Sequence, residues 1–204
     1  MALGMNLDSG GGGDIVPIIK FDAKSGDFVT VDKHKDADGT WQKQEQELQT
    51  PFTMVAYMDD IEVGWANFTN GRPDFRMTKI GEPQIPDPST EDMQFKQAFR
   101  VRLQNKALGL REFSSQSKLV IRAFDDLHNQ YMSGKDANPG KVPAVEISGT
   151  KTETINTQQG ALKFKVPVWQ ITQWVDAPTQ DSAPADSAPD ETPAAPIETG
   201  SDLF

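Results

Sequence analysis

Along most of the chain apolar and polar positions alternate with a period of two, the mark of strands that bury one face. Asp14 to Lys20 (DIVPIIK) is short, apolar and β-branched, and predicts a first strand with Pro17 at an edge or a bulge. After Ser25-Gly26, the run Asp27 to Asp32 (DFVTVD) predicts a second strand that closes a hairpin with the first. Lys33 to Gly39 reads as a charged loop turning at Asp38-Gly39, followed by Trp41 and the polar run QKQEQELQ. Three strands then follow as an antiparallel meander: Phe52 to Tyr57, Ile61 to Phe68 and Asp74 to Ile80. The turn signals between them are Asp59-Asp60 and Asn70-Gly71-Arg72-Pro73. Gly81 to Pro88 holds three prolines and is an extended loop, and Gln94 to Gln104 predicts another strand, with Arg100, Arg102 and Gln104 on the face opposite Val101 and Leu103.

The period changes to that of a helix over about Gln116 to Met132, where Val120, Phe124, Leu127 and Tyr131 recur at spacings of four, three and four. Ser114 or Ser115 can cap its start and Gly134 can end it. Two more strands, Val142 to Ser148 and Leu162 to Trp174, are joined through Gly149 to Gly160. In the last, Leu162, Phe164, Val166 and Val168 alternate with Lys163, Lys165, Pro167 and Trp169, which predicts a face shared by two lysines and a tryptophan. Several strands, one helix and two strands match a mainly β, OB-fold-like Greek-key barrel with one α-helix. An SH3-like barrel or a β-sandwich with one helix would give a similar string.

The last stretch, Val175 to Phe204, has seven acidic residues, no Lys or Arg, and repeated Ala-Pro steps, so it can neither bury a core nor keep a helix. The expected organisation is a flexible N-terminal lead over residues 1–13, with Gly10 to Gly13, one domain over 14–175, and a disordered acidic tail over 176–204. The tail breaks its own pattern at Ser201-Asp202-Leu203-Phe204, where two large apolar side chains end a run of Asp, Glu, Pro, Ala, Ser and Thr. An acidic Pro-rich linker ending in Asp, an apolar residue and Phe resembles the tails of bacterial and phage single-stranded DNA-binding proteins. The resemblance implies that Asp202, Leu203 and Phe204 dock replication or recombination enzymes. It covers the tail's arrangement and does not extend to residues of the body.

Charge is compatible with a body that holds a polyanion, and equally with an ordinary protein. The chain carries a formal charge of −10, but removing the seven tail acids leaves 20 bases against 23 acids. There is no Cys, which excludes disulfides and thiolate metal sites. No apolar run reaches the roughly 20 residues a membrane helix needs, and no leader is recognisable, so a cytoplasmic protein is expected, in the host cytoplasm if phage-encoded.

Binding single-stranded nucleic acid calls for cations along the phosphates and flat rings on which bases stack. Strand parity offers Arg72, Arg76 and Lys79 in the meander, Arg100 and Arg102 before the helix, and Lys163 and Lys165 in the last strand. The stacking candidates are Trp65, Phe75 and Trp169, with Trp41 in a flanking loop. A chain of tail carboxylates could then cover the groove in cis and be displaced by DNA. No cofactor, metal or membrane partner is expected, and self-association is left open. No nucleotide-binding loop or nucleophile elbow is present, and His34 and His128 lack neighbours at metal-ligand spacing. The expected function is therefore non-enzymatic binding and protection of single-stranded DNA during replication or recombination. Two rivals remain: a structural or assembly protein of a virion, and, more remotely, a metal-dependent nuclease using Asp59, Asp60 and Glu62.

Overall fold

The computed structural model describes residues 16–69, 73–158 and 160–178. Its strands are β1 (Ile18–Phe21), β2 (Phe28–Lys35), β3 (Trp41–Leu48), β4 (Phe52–Ala56), β5 (Glu62–Asn67), β6 (Asp74–Lys79), β7 (Lys96–Asn105), β8 (Gly109–Ser115), β9 (Lys141–Thr157) and β10 (Gly160–Asp176). Among the described residues a single helix, α1 (Lys118–Lys135), lies between β8 and β9, and a 3-10 turn occupies Met58–Asp60. The strands form one sheet in the order β10-β9-β4-β7-β8-β1-β2-β3, with β5 also on β7 and β6 on β5. The pairing of β1 with β8 is parallel and the other pairings are antiparallel.

The sheet curls without closing. At one end of its path the Lys165 N–H of β10 donates to the Ala23 carbonyl in the β1–β2 turn (2.7 Å), so the two ends of the curled part meet through a backbone bond. The result is a mainly β, barrel-like fold with one helix, as the alternation predicts. Inside, Phe28, Phe99, Phe113, Phe124 and Trp169 form a continuous ring cluster, with Phe99 stacked on Phe124 at 4.2 Å and Trp169 edge-on to Phe113 at 5.3 Å. The helix covers this cluster with Val120, Phe124, Leu127 and Tyr131, the residues whose spacing announces it. A helix face of this kind is stabilised mainly by apolar area removed from water.

The structure departs from the sequence reading in several elements, each for a physical reason. The expected meander is reduced to the β5–β6 hairpin, because β4 pairs with β7 and β9 and β5 pairs with β6 and β7. The polar run after Trp41 is strand β3, hydrogen-bonded along eight residues to β2 and exposed on both faces, so no alternation marks it. Strand β8 escapes the pattern because its inward positions are Arg111 and Phe113, and a buried arginine reads as polar. Arg111 is satisfied there by the Leu108 carbonyl (3.0 Å) and the Asp32 carboxylate (2.8 Å). Strands β9 and β10 continue past Gly149 to Thr157 and back from Gly160, forming a long hairpin where a loop is predicted. Finally, α1 starts after Ser117 and runs through Gly134, whose missing side chain makes room for Trp174: a Cβ there would lie 2.7 Å from the ring.

Candidate nucleic-acid interface

The predicted contact residues do not form one surface. Arg72, Asp202, Leu203 and Phe204 lie outside the described residues. Trp169 is 7% exposed and sits inside the ring cluster, in contact with Phe28, Phe113 and Phe124. Trp169 keeps the strand parity of Lys163 and Lys165, but where β10 crosses the body that side is the inner one, with Pro167 and Trp169 buried and Val168 exposed; the bulge at this point lies on β9, where Ser148 is passed over. Lys163 and Lys165 share a face of the β9–β10 hairpin, where the Lys165 ammonium donates to Thr152 Oγ1 (3.1 Å).

Arg100 and Arg102 do project on one face of β7, alongside Lys79 and Phe75 across β5 and β6. Two of these three charges, those of Arg100 and Lys79, are in ion pairs. Arg100 bridges Glu62 and Glu112 (3.5 Å to the latter) and lies over the Phe75 ring at 5.1 Å, while Lys79 pairs with Asp60 at 2.7 Å. The small cavity between them, about 110 Å³, is lined by three bases and three acids: Lys79, Arg100, Arg102, Asp60, Glu62 and Glu112. Such a cluster presents little net field to a polyanion. Arg76 is tied to Asp74 (3.2 Å).

Burial pushes the Glu112 carboxyl above its ordinary value, more than the nearby Arg100 guanidinium lowers it. A carboxyl with a raised native pKa costs stability when ionised, and that cost disappears as pH falls through the native value towards the unfolded one. Glu112→Gln is therefore expected to raise the melting temperature near pH 7. The gain should shrink to nothing at about pH 4, near the ordinary glutamate value, as read by calorimetry at the two pH values. A gain that grows on acidification would contradict this assignment.

Trp65 stands elsewhere. On β5 it is opposite Arg76 of β6 and Gln97 of β7, and its indole N–H donates to the Ile85 carbonyl (2.9 Å), so the 81–95 segment fixes the plane of the ring. Register explains what stands next to it. Phe99 pairs with Ser115, the last residue of β8, so β7 residues 96–98 run past the end of β8, and α1 begins three residues on, at Lys118. The first helical turns thus form a wall beside the start of β7. The groove between them, about 610 Å³, is lined by Trp65, Lys96, Gln97, Gln116, Lys118, Ile121 and Arg122. It contains no acid, and among the described residues none of its three cations is in an ion pair.

Of these residues only Trp65 is a candidate from sequence. A signal for the others is present: Lys118 and Arg122 lie in the first two turns of α1, which has no acid in its first turn. Helix starts favour acids because their free N–H groups carry partial positive charge, so a cationic start is a preference overridden. The three acids considered for a nuclease diverge, Asp59 pairing with Lys135, Asp60 with Lys79 and Glu62 with Arg100. No helix among the described residues is long and apolar enough to cross a membrane. Comparisons with protein-family models, curated proteins and solved structures returned no match.

Proposed function

We propose that the chain binds single-stranded DNA, without catalysing a reaction, in the groove beside Trp65. The observation that supports this best is a half-buried tryptophan held by its edge next to Lys96, Lys118 and Arg122, with no acid between them. A base stacked on the indole contributes about 1–3 kcal/mol, and the ammonium and guanidinium groups lie where its flanking phosphates would pass. The amides of Gln97 and Gln116 offer both donors and acceptors to base edges, which every base can use. The acidic tail, on this reading, covers the groove when no DNA is present and recruits replication or recombination enzymes through Asp202, Leu203 and Phe204 when DNA displaces it. The cytoplasm is where such a protein would meet its substrate.

Titration with oligo(dT) at two salt concentrations tests the reading. Binding should quench tryptophan emission, favour single strands over duplex and weaken steeply with salt, and removal of residues 195–204 should tighten it. Absence of quenching at low salt would overturn the proposal. The assembly reading has one feature in its favour, the outward-facing pair Ile155 and Leu162 near the end of the β9–β10 hairpin, 40% and 51% exposed. It predicts concentration-dependent self-association with no response to oligonucleotide.

A further inference from the structure

Strand β2 is flanked by β1 only over Phe28 to Val31, whereas its pairing with β3 continues to Lys35 and Trp41. Residues 32–44 are therefore an arm of two strands that projects beyond the sheet. Its root is fixed where Asp32 accepts from the buried Arg111. Its turn is built by Asp36, whose carboxylate accepts from the Asp38 and Thr40 N–H groups and from the Gln42 amide. A two-stranded ribbon exposed on both faces gains little from burial, so neither core packing nor a sheet partner accounts for what it displays.

The register gives the arm one distinctive face. Lys35 is opposite Trp41 and Lys33 is opposite Lys43, and strand pleating aims these four side chains the same way. Trp41 is 55% exposed, more than any other large apolar side chain described, and the Lys35 ammonium lies 5.3 Å from its ring centre. Glu45, next along the same face, is held by Lys43 and by Lys20 (3.7 Å). Among the described residues Lys33 and Lys35 have no carboxylate partner.

We infer that this arm is a second contact for single-stranded nucleic acid, separate from the groove, with Trp41 stacking a base and Lys33 and Lys35 meeting the adjoining phosphates. The inference rests on the binding activity proposed above and adds to it a footprint extending to the β2–β3 arm. A ring bordered by ammonium groups suits a base with its phosphates, whereas a protein-docking arm would surround its tryptophan with further apolar side chains.

The test uses the full chain, oligo(dT) of 25 nucleotides and two arm variants, Trp41→Ala and the double change Lys33→Gln with Lys35→Gln. All three altered residues are exposed, so the fold should persist. Trp41→Ala should weaken binding by roughly fivefold or more, and the lysine pair should flatten the salt dependence by about 1.4 in log–log slope. In a Trp65→Phe protein, the oligonucleotide should still quench emission, now from Trp41. Unchanged affinity and slope in both arm variants, with the groove variant Lys118→Glu/Arg122→Glu impaired, would overturn the arm and leave the groove standing. Failure of the unaltered chain to bind would overturn both.

Discussion

Lys118→Glu combined with Arg122→Glu is expected to weaken oligo(dT) binding by about 100-fold or more at low salt while leaving the protein at least as stable. The loss follows from the composition of the groove. Lys96, Lys118 and Arg122 are its only charged side chains, and converting two of them turns a site of three positive charges into one with two negative charges and one positive. Removing each charge-assisted hydrogen bond to a phosphate costs roughly 1.5–3 kcal/mol, and repulsion of the phosphates adds to it. Because two such phosphate interactions disappear, the log–log salt slope should flatten by about 1.4, so the deficit narrows as salt rises. The stability effect has the opposite sign. Both side chains are exposed, and acids in the first turns of a helix interact favourably with its free N–H groups, by about 0.3–1 kcal/mol. Lower affinity at equal or higher melting temperature excludes unfolding as the cause, and fluorescence titration with thermal melts reads both quantities. Undiminished affinity would remove the groove as the binding surface.

How much of this was legible in the sequence depends on whether burial or pairing makes the element. The helix announces itself because Val120, Phe124, Leu127 and Tyr131 all reach the core. Strands β4, β5, β6 and β7 do so because each has one apolar and one more polar face, or a bounded β-branched run. Strand β3 does not, since it exists through hydrogen bonds to β2 and buries almost nothing. The groove was half legible for the same reason. Trp65 is visible as an aromatic on a strand, but Lys96, Lys118 and Arg122 belong to two elements that meet only through the register of β7 with β8. Parity did place Arg100 and Arg102 together, and what it could not supply was the acids opposite them, Glu62 on β5 and Glu112 on β8.

Truncating Trp169 to Ala is expected to cost about 3–5 kcal/mol, the usual loss for a large aromatic removed from a packed core. The indole is the hub of the ring cluster. It meets Phe28 of β2, Phe113 of β8 and Phe124 of α1 edge-on, at 6.2, 5.3 and 5.9 Å, and so joins strands from both sides of the curl to the helix that covers it. A cavity there would be hard to refill, because the neighbouring rings are fixed by their own strands and cannot collapse inward. For a domain of this size the melting temperature should fall by roughly 10 °C or more, and Trp169→Phe, which leaves a smaller void, should lie between the two. Oligonucleotide affinity per folded molecule should change little, measured well below the lowered melting temperature. The parity reading, with Trp169 beside Lys163 and Lys165, makes the reverse forecast of weaker binding at unchanged stability. The two outcomes separate a tryptophan that holds the barrel from one that stacks a base, and burial among Phe28, Phe113 and Phe124 assigns Trp169 to the first.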